Sequence, residues 1–198
     1  MGILQYFLLR TAGGRTRARR LLLCAAIVLA GAARVTATDT APVVTVNEEG
    51  GTYRVVATFS VSQPAAIARA VLTDYEQIPR FMPNVRTSTV LERTAGGLVV
   101  EQEATARMMM FSKRIHLVLV VQEAAGMIRF RDRCGKSFDL YDGGWTLTSP
   151  ETGGTTIEYA LTAKPSFDVP EFILKRLLRR DSTEMIRRLQ IEIASRGR

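Results

Sequence analysis

The 198-residue chain has a single histidine, His116, and two cysteines, Cys24 and Cys134. One histidine excludes zincin-type histidine pairs and the two-histidine iron triad within one chain. Two cysteines exclude a dense disulfide scaffold and an all-cysteine zinc site. No metal and no cofactor is therefore expected. The 7 prolines and 15 glycines are too few for a proline-rich or collagen-like chain. Internal repeats and low-complexity linkers are absent as well. What is present is a chain that is 46% hydrophobic and 23% charged, the balance of a folded domain.

Acidic residues are missing from residues 1–37, where Arg10, Arg15, Arg17, Arg19, Arg20 and Arg34 supply six of the eight excess positive charges. The remainder is nearly balanced, so the net charge of +8 is no argument for nucleic-acid binding by the folded part, and no nucleic acid is expected as a partner. The tail has its own logic. The basic run RTRARR at 15–20 precedes LLLCAAIVLAGAA at 21–33, and VTA at 35–37 ends in small residues. That is the order of an export signal. Thirteen helical residues span about 20 Å against a hydrocarbon core of roughly 30 Å. The alternative is a membrane anchor through residues 21–33. Cys24 follows Leu23, not a small residue, which argues against lipoprotein processing. With export, the protein is periplasmic or secreted, Cys134 is its one cysteine, and no internal disulfide can form.

Residues 38–51 read as a polar lead-in. Tyr53, Val55, Ala57, Phe59 and Val61 then alternate with more polar neighbours, a strand with one apolar face. Ser62 is the expected cap of a helix that begins near Pro64 and carries Ile67, Ala70 and Val71 as its stripe. A second short helix is expected over Tyr75–Phe81, interrupted by Pro79. Six strands follow, at 85–93, 98–109, 113–122, 127–133, 138–149 and 155–163, with a bend expected at Asp142-Gly143-Gly144. Short connections favour an antiparallel meander. In the third of these strands Ile115, Leu117, Leu119 and Val121 share one face, and His116, Val118 and Val120 the other. A long helix over 170–194 closes the chain, with Phe172, Ile173, Leu177, Met185, Leu189 and Ile193 on a stripe that Leu174, Leu178 and Ile186 broaden. Its place is over the open face of a curved sheet, and the whole is one domain.

Three stretches carry a family likeness: TDYEQIPRFMPNV at 73–85, STVLER at 88–93, and GGWTL at 143–147 through GTTIEY at 154–159 with Pro165 and Pro170. In that order and spacing the chain resembles the START-like, polyketide cyclase/dehydrase (SRPBCC) superfamily, and within it coenzyme-Q-binding START-domain proteins and their bacterial relatives. The likeness spans residues 52–195. It implies an α+β helix-grip fold, a curved antiparallel sheet wrapped around a long C-terminal helix, with an apolar cavity between them. It further implies a small hydrophobic ligand such as a lipid, quinone or polyketide, and it brings no universal catalytic motif.

The candidate residues follow from both sources. Tyr75, Phe81 and Met82 belong to a proline-stiffened turn that either closes one end of the sheet or gates a cavity mouth. Met108 and Met110 lie at a strand junction, as packing or as an adaptable rim. Trp145, Tyr159, Phe172 and Leu177 are further cavity candidates. His116 is the weak candidate for a general base, against a structural role. Glu101 and Glu103 share a strand face and are expected to pair with Arg129, Arg131 and Arg133 on the outer sheet surface, or to form a carboxylate site if that face points inward. Asp139 and Asp142 are expected in turns. Arg179, Arg180, Arg187 and Arg188 form either a solvated helix face or a contact with anionic membrane lipid. With no clustered catalytic set, binding of an apolar ligand is the leading expectation. A cyclase or dehydratase and a membrane-associated interaction module are the alternatives.

Overall fold

A computed structural model of the chain describes residues 41–108 and 111–198. The leader reading and the candidate Met110 lie outside the described residues. The elements in chain order are β1 (Val43–Glu49), β2 (Thr52–Val61), α1 (Ala65–Leu72), a 3₁₀ turn (Tyr75–Gln77), α2 (Ile78–Phe81), β3 (Val85–Thr94), β4 (Gly97–Met108), β5 (Phe111–Ala124), β6 (Met127–Asp132), β7 (Phe138–Thr148), β8 (Thr155–Pro165) and α3 (Glu171–Arg196). The expected order of strand, two short helices, six strands and long helix is present, with one strand added in front.

That addition is β1, inside the segment read as a lead-in. It pairs with β2 from Val43 opposite Thr58 to Glu49 opposite Thr52. The two residues between them, Gly50 and Gly51, have φ of 58° and 77°. Two consecutive left-handed residues make the tight hairpin turn whose twist matches that of the strands, and glycine adopts them at no steric cost.

All eight strands form one antiparallel sheet in the order β1-β2-β8-β7-β6-β5-β4-β3. β3 to β8 is the expected meander, and β2 then pairs with β8, Val55 opposite Leu161 and Phe59 opposite Ile157. Alternation places the apolar face as the sequence predicts: Tyr53, Val55, Ala57, Phe59 and Val61 are buried, as are Ile115, Leu117, Leu119 and Val121. α3 lies against β1 and β2 and touches α1 and α2. It buries Leu174, Leu177, Ser182, Ile186, Leu189 and Ile193.

Several local expectations need correction. The first residue before α1 is Pro64, with no side-chain cap, so Ser62 does not serve as one. The buried face of α1 is Ala68, Val71 and Leu72, and Ala70 is exposed. The second helix divides into a 3₁₀ turn and the single turn α2, because Pro79 at its start has no N–H to continue one ladder through both. Asp139 and Asp142 lie within β7, not in turns. The register shift of β7 against β8 falls between Phe138 and Leu140, while Gly143 and Gly144 stay in register opposite Leu161 and Ala160. Phe172 is 74% exposed and is no cavity residue. It sits two positions before Leu174, which on a helix turns it to the far side of the buried stripe.

Candidate ligand cavity

Between the sheet and α3 lies a cavity of about 370 Å³. Its floor is the inward face of the central strands: Ile115, Leu117, Leu119 and Val121 of β5, Ile128 and Phe130 of β6, Tyr141 and Trp145 of β7, Tyr159, Leu161 and Ala163 of β8. Its roof is Leu174, Leu177, Leu178, Met185 and Leu189 of α3. Ile78, Phe81, Met82 and Pro83, at α2 and the turn into β3, line it as well, as do Asp181 and Arg188 of α3. The sequence candidates Tyr75, Phe81, Met82, Trp145, Tyr159 and Leu177 all line it. Met108 ends β4 opposite Phe111.

The charge distribution is one-sided. Asp181, Glu184 and Arg188, the charged lining side chains, all come from α3. Arg188 is held by Glu184 at 2.7 Å. Asp181 is met by Arg180 at 2.7 Å, and burial, outweighing that guanidinium, pushes its carboxyl above the usual range. Arg179, Arg180, Arg187 and Arg188 are exposed. Arg187 lies 3.8 Å from Glu184, and Arg180 also donates to the carbonyl of Arg107 at the end of β4.

The turn carrying Tyr75 is tied down at two points, one of them shared with Arg69 of α1. The Tyr75 hydroxyl donates to Glu123 Oε1 at 2.8 Å, and Arg69 donates to Glu123 Oε2 at 2.8 Å. Arg196, near the end of α3, reaches Asp74 at 2.8 Å. Burial, reinforced by the Glu123 hydrogen bond and charge, pushes the Tyr75 phenol far above its ordinary value, so at neutral pH it is a donor. Tyr75→Phe is expected to lower stability by about 1.5 kcal/mol, the lower end for a hydrogen bond to a charged group because Arg69 still serves Glu123. Urea unfolding of the two proteins measures it, and a change under about 0.3 kcal/mol would show that the bond adds nothing net.

A ring cluster occupies the wall formed by β6, β7 and β8. Phe138 and Tyr141 have centroids 4.9 Å apart, Trp145 and Tyr159 4.5 Å, and Phe130 lies 5.9 Å from Tyr141 and 6.5 Å from Tyr159. Burial pushes Tyr141 up to about 12, with the neighbouring Tyr159 hydroxyl pulling the other way, and pushes Tyr159 up as well. Both phenols are therefore neutral. Sequence reasoning missed Phe130, Phe138 and Tyr141. The last was legible, because it shares strand parity with Trp145. Phe138 was not, because the shift before Leu140 inverts the parity of the strand's first residues.

His116 is on the sheet face away from the cavity, flanked by the inward-facing Ile115 and Leu117. Its ring lies 3.6 Å from Glu101, 4.0 Å from Glu103 and 3.4 Å from Lys136. It cannot act on a molecule in the cavity. Glu101 and Glu103 also face outward, but their partner is His116: β5 separates them from the arginines of β6, and Arg131 pairs instead with Asp142 at 2.6 Å. Cys134 is half-buried, its thiol donating to Asp132 Oδ2 at 3.5 Å. Burial disfavours the charged Asp132, yet the N–H of Val118, the Cys134 thiol and N–H, and the N–H of Gly135 together hold its carboxyl below the usual range. This is a turn-fixing carboxylate. Among the described residues there is no cluster of three or more His, Cys, Asp or Glu placed to hold a metal, and no helix long and apolar enough to cross a membrane.

Comparison with solved structures supports the fold. A STAR-related lipid transfer protein from Xanthomonas axonopodis superposes with a TM-score of 0.64 at 20% identity, covering 80% of this chain and 97% of that one. A START superfamily protein from Mycobacterium smegmatis gives 0.62 at 16%, covering 72% and 97%. An aromatase/cyclase from a Streptomyces species gives 0.62 at 16%, covering 74% and 96%. No curated protein sequence matches significantly. The profile described as polyketide cyclase / dehydrase and lipid transport matches residues 61–190, from the end of β2 to within the last two turns of α3, and the chain therefore belongs to that family, within the START-like superfamily whose members bind hydrophobic ligands or act as cyclases.

Proposed function

We propose that the protein is a non-enzymatic carrier that holds a small hydrophobic ligand between the sheet and α3, and that it works outside the cytoplasm. The observation that carries the reading is the cavity: about 370 Å³, with a sheet wall free of charged side chains. Pockets of this size and lining suit drug-sized apolar molecules. The sole histidine faces the other way, as do Glu101 and Glu103, which removes the named sequence candidates for acid–base work on a bound ligand. Export is supported by the basic, apolar and small-residue order of residues 15–37.

The test is native mass spectrometry of protein purified without detergent, followed by lipid extraction. An apolar molecule retained at up to one per chain, with mass unchanged after prolonged incubation, is the expected result. Turnover of the released ligand in molar excess over protein would replace the carrier with an enzyme. Failure to retain any apolar molecule, native or added, would remove the carrier reading.

A further inference from the structure

The outer face of the sheet carries a charge pattern that a single chain leaves unused. Residues opposite each other on paired strands share a face. Across β3, β4, β5 and β6 one rung therefore reads Glu92, Val99, Val120, Arg131. The next reads Thr89, Glu101, Val118, followed by Arg133, whose N–H meets the Val118 carbonyl. The sequence neighbours Leu119, Val121 and Phe130 line the cavity, which turns these rungs outward. Acids thus stand on one side of a valine ridge and arginines on the other. Val99 is screened by its neighbours, Val118 is half-buried and Val120 is exposed. Among the described residues Glu92 and Arg133 have no ion-pair partner. Glu101 has only His116, at 3.6 Å, and Arg131 keeps Asp142 at 2.6 Å while its side chain remains 73% exposed. Within one chain β5 holds the two signs apart.

We infer that this face is the contact of a two-fold dimer, in which a second copy of the chain stacks on β3–β6 from outside. The pattern itself identifies the partner. A two-fold axis along the strands, midway between β4 and β5, sets Glu92 opposite the partner's Arg131 and Arg131 opposite the partner's Glu92. Val99 then meets the partner's Val120, and Glu101 lies one strand away from the partner's Arg133. An isologous contact makes each of these pairings twice. Facing sheets stack about 10 Å apart, within reach of a glutamate meeting an arginine. A polyanion or an anionic bilayer would be drawn to one stripe and repelled by the other, so neither fits the whole face. The sheet curves around α3, which confines the contact to these strands. The dimer is accordingly small and reversible, short of the about 20–30 residues a side of a standard interface. The cavity lies on the other side of the sheet, so the inference is independent of the carrier reading.

Sedimentation equilibrium of the purified protein tests this. The wild type is expected to form a reversible dimer with a Kd in the micromolar range, weakened about tenfold between roughly 0.05 and 0.5 M salt. Two charge-reversed chains supply the decision, Glu92→Arg/Glu101→Arg and Arg131→Glu/Arg133→Glu. Each alone sets like charges face to face and is expected to weaken self-association at least about tenfold. An equimolar mixture of the two is expected to recover the wild-type affinity as a heterodimer, which a misfolded variant could not do. A wild type still monomeric at roughly 1 mM would overturn the inference. So would a dimer that both reversed chains retain, or a mixture that fails to associate while each variant melts as the wild type does. Where a reversed chain melts early, Val120→Lys decides by itself, because it brings two ammonium groups close to the axis at an exposed position. A dimer of undiminished affinity in that variant would likewise overturn the inference.

Discussion

Deletion of residues 171–198 is expected to abolish cooperative unfolding. α3 buries Leu174, Leu177, Ile186, Leu189 and Ile193, with Ile186 and Ile193 wholly inaccessible. Each large apolar side chain contributes about 1.5–3 kcal/mol on burial, against a total domain stability of about 5–15 kcal/mol. The five together match or exceed what the domain has to lose. The loss is larger still, because the buried face of β1 and β2 against which α3 lies would also face water. Two attachments at opposite ends of the helix go with it: Lys175, which lies among Glu171, Glu48 and Tyr53, and the Arg196–Asp74 pair. Calorimetry of the truncated chain should give no sharp transition. A normal melt would make α3 an appendage and the cavity an open trough.

Gly143→Val is expected to destabilise by at least about 3 kcal/mol, the upper end for overpacking in a filled interior. Valine is the better strand former, so propensity alone predicts a gain. Space decides otherwise. A Cβ on Gly143 would stand 2.5 Å from the carbonyl oxygen of Ala160 and 2.9 Å from Phe130 Cζ. The phenyl ring could move, but the carbonyl belongs to the β8 backbone, and shifting it separates two central strands. Gly144 is as confined, 2.6 Å from the carbonyl of Ile128 on the other neighbour. The glycine pair thus lets β7 sit close to both β6 and β8. Urea midpoints of wild type and variant measure the cost. A shift worth under about 0.5 kcal/mol, the scale of an ordinary surface substitution, would show that the strands separate easily.

Both effects fall on elements that the sequence already outlined, for a physical reason. Strict alternation in β2 and β5 leaves one possible inward face, and the short turns between β3 and β8 leave one simple topology. β1 escaped because Val43, Val44 and Val46 are an edge pattern, with only Val46 buried and polar residues between. The Gly50-Gly51 pair was the signal that would have found it. The cavity was legible only in part. Trp145, Tyr159 and Leu177 follow from parity and helix stripe. Phe172 failed because nine apolar positions on α3 make a stripe too broad to identify its centre. The partners of Glu101 and Glu103 failed because charge complementarity was read without strand order, and β5 stands between the groups that seemed matched.

The sheet ends at β1 on one side and β3 on the other, and these two edges do not pair. In a closed barrel the strand number and stagger fix the bore, and changing it means rebuilding the ring. Here the helix fills the opening, so the bore depends on the lengths of the few side chains that α3 lays across the strands. Leu178, Met185 and Leu189 can be exchanged for smaller or larger residues without disturbing a single rung of the ladder. Ligand size in this architecture is an adjustable property of one helix, separable from the scaffold that holds it.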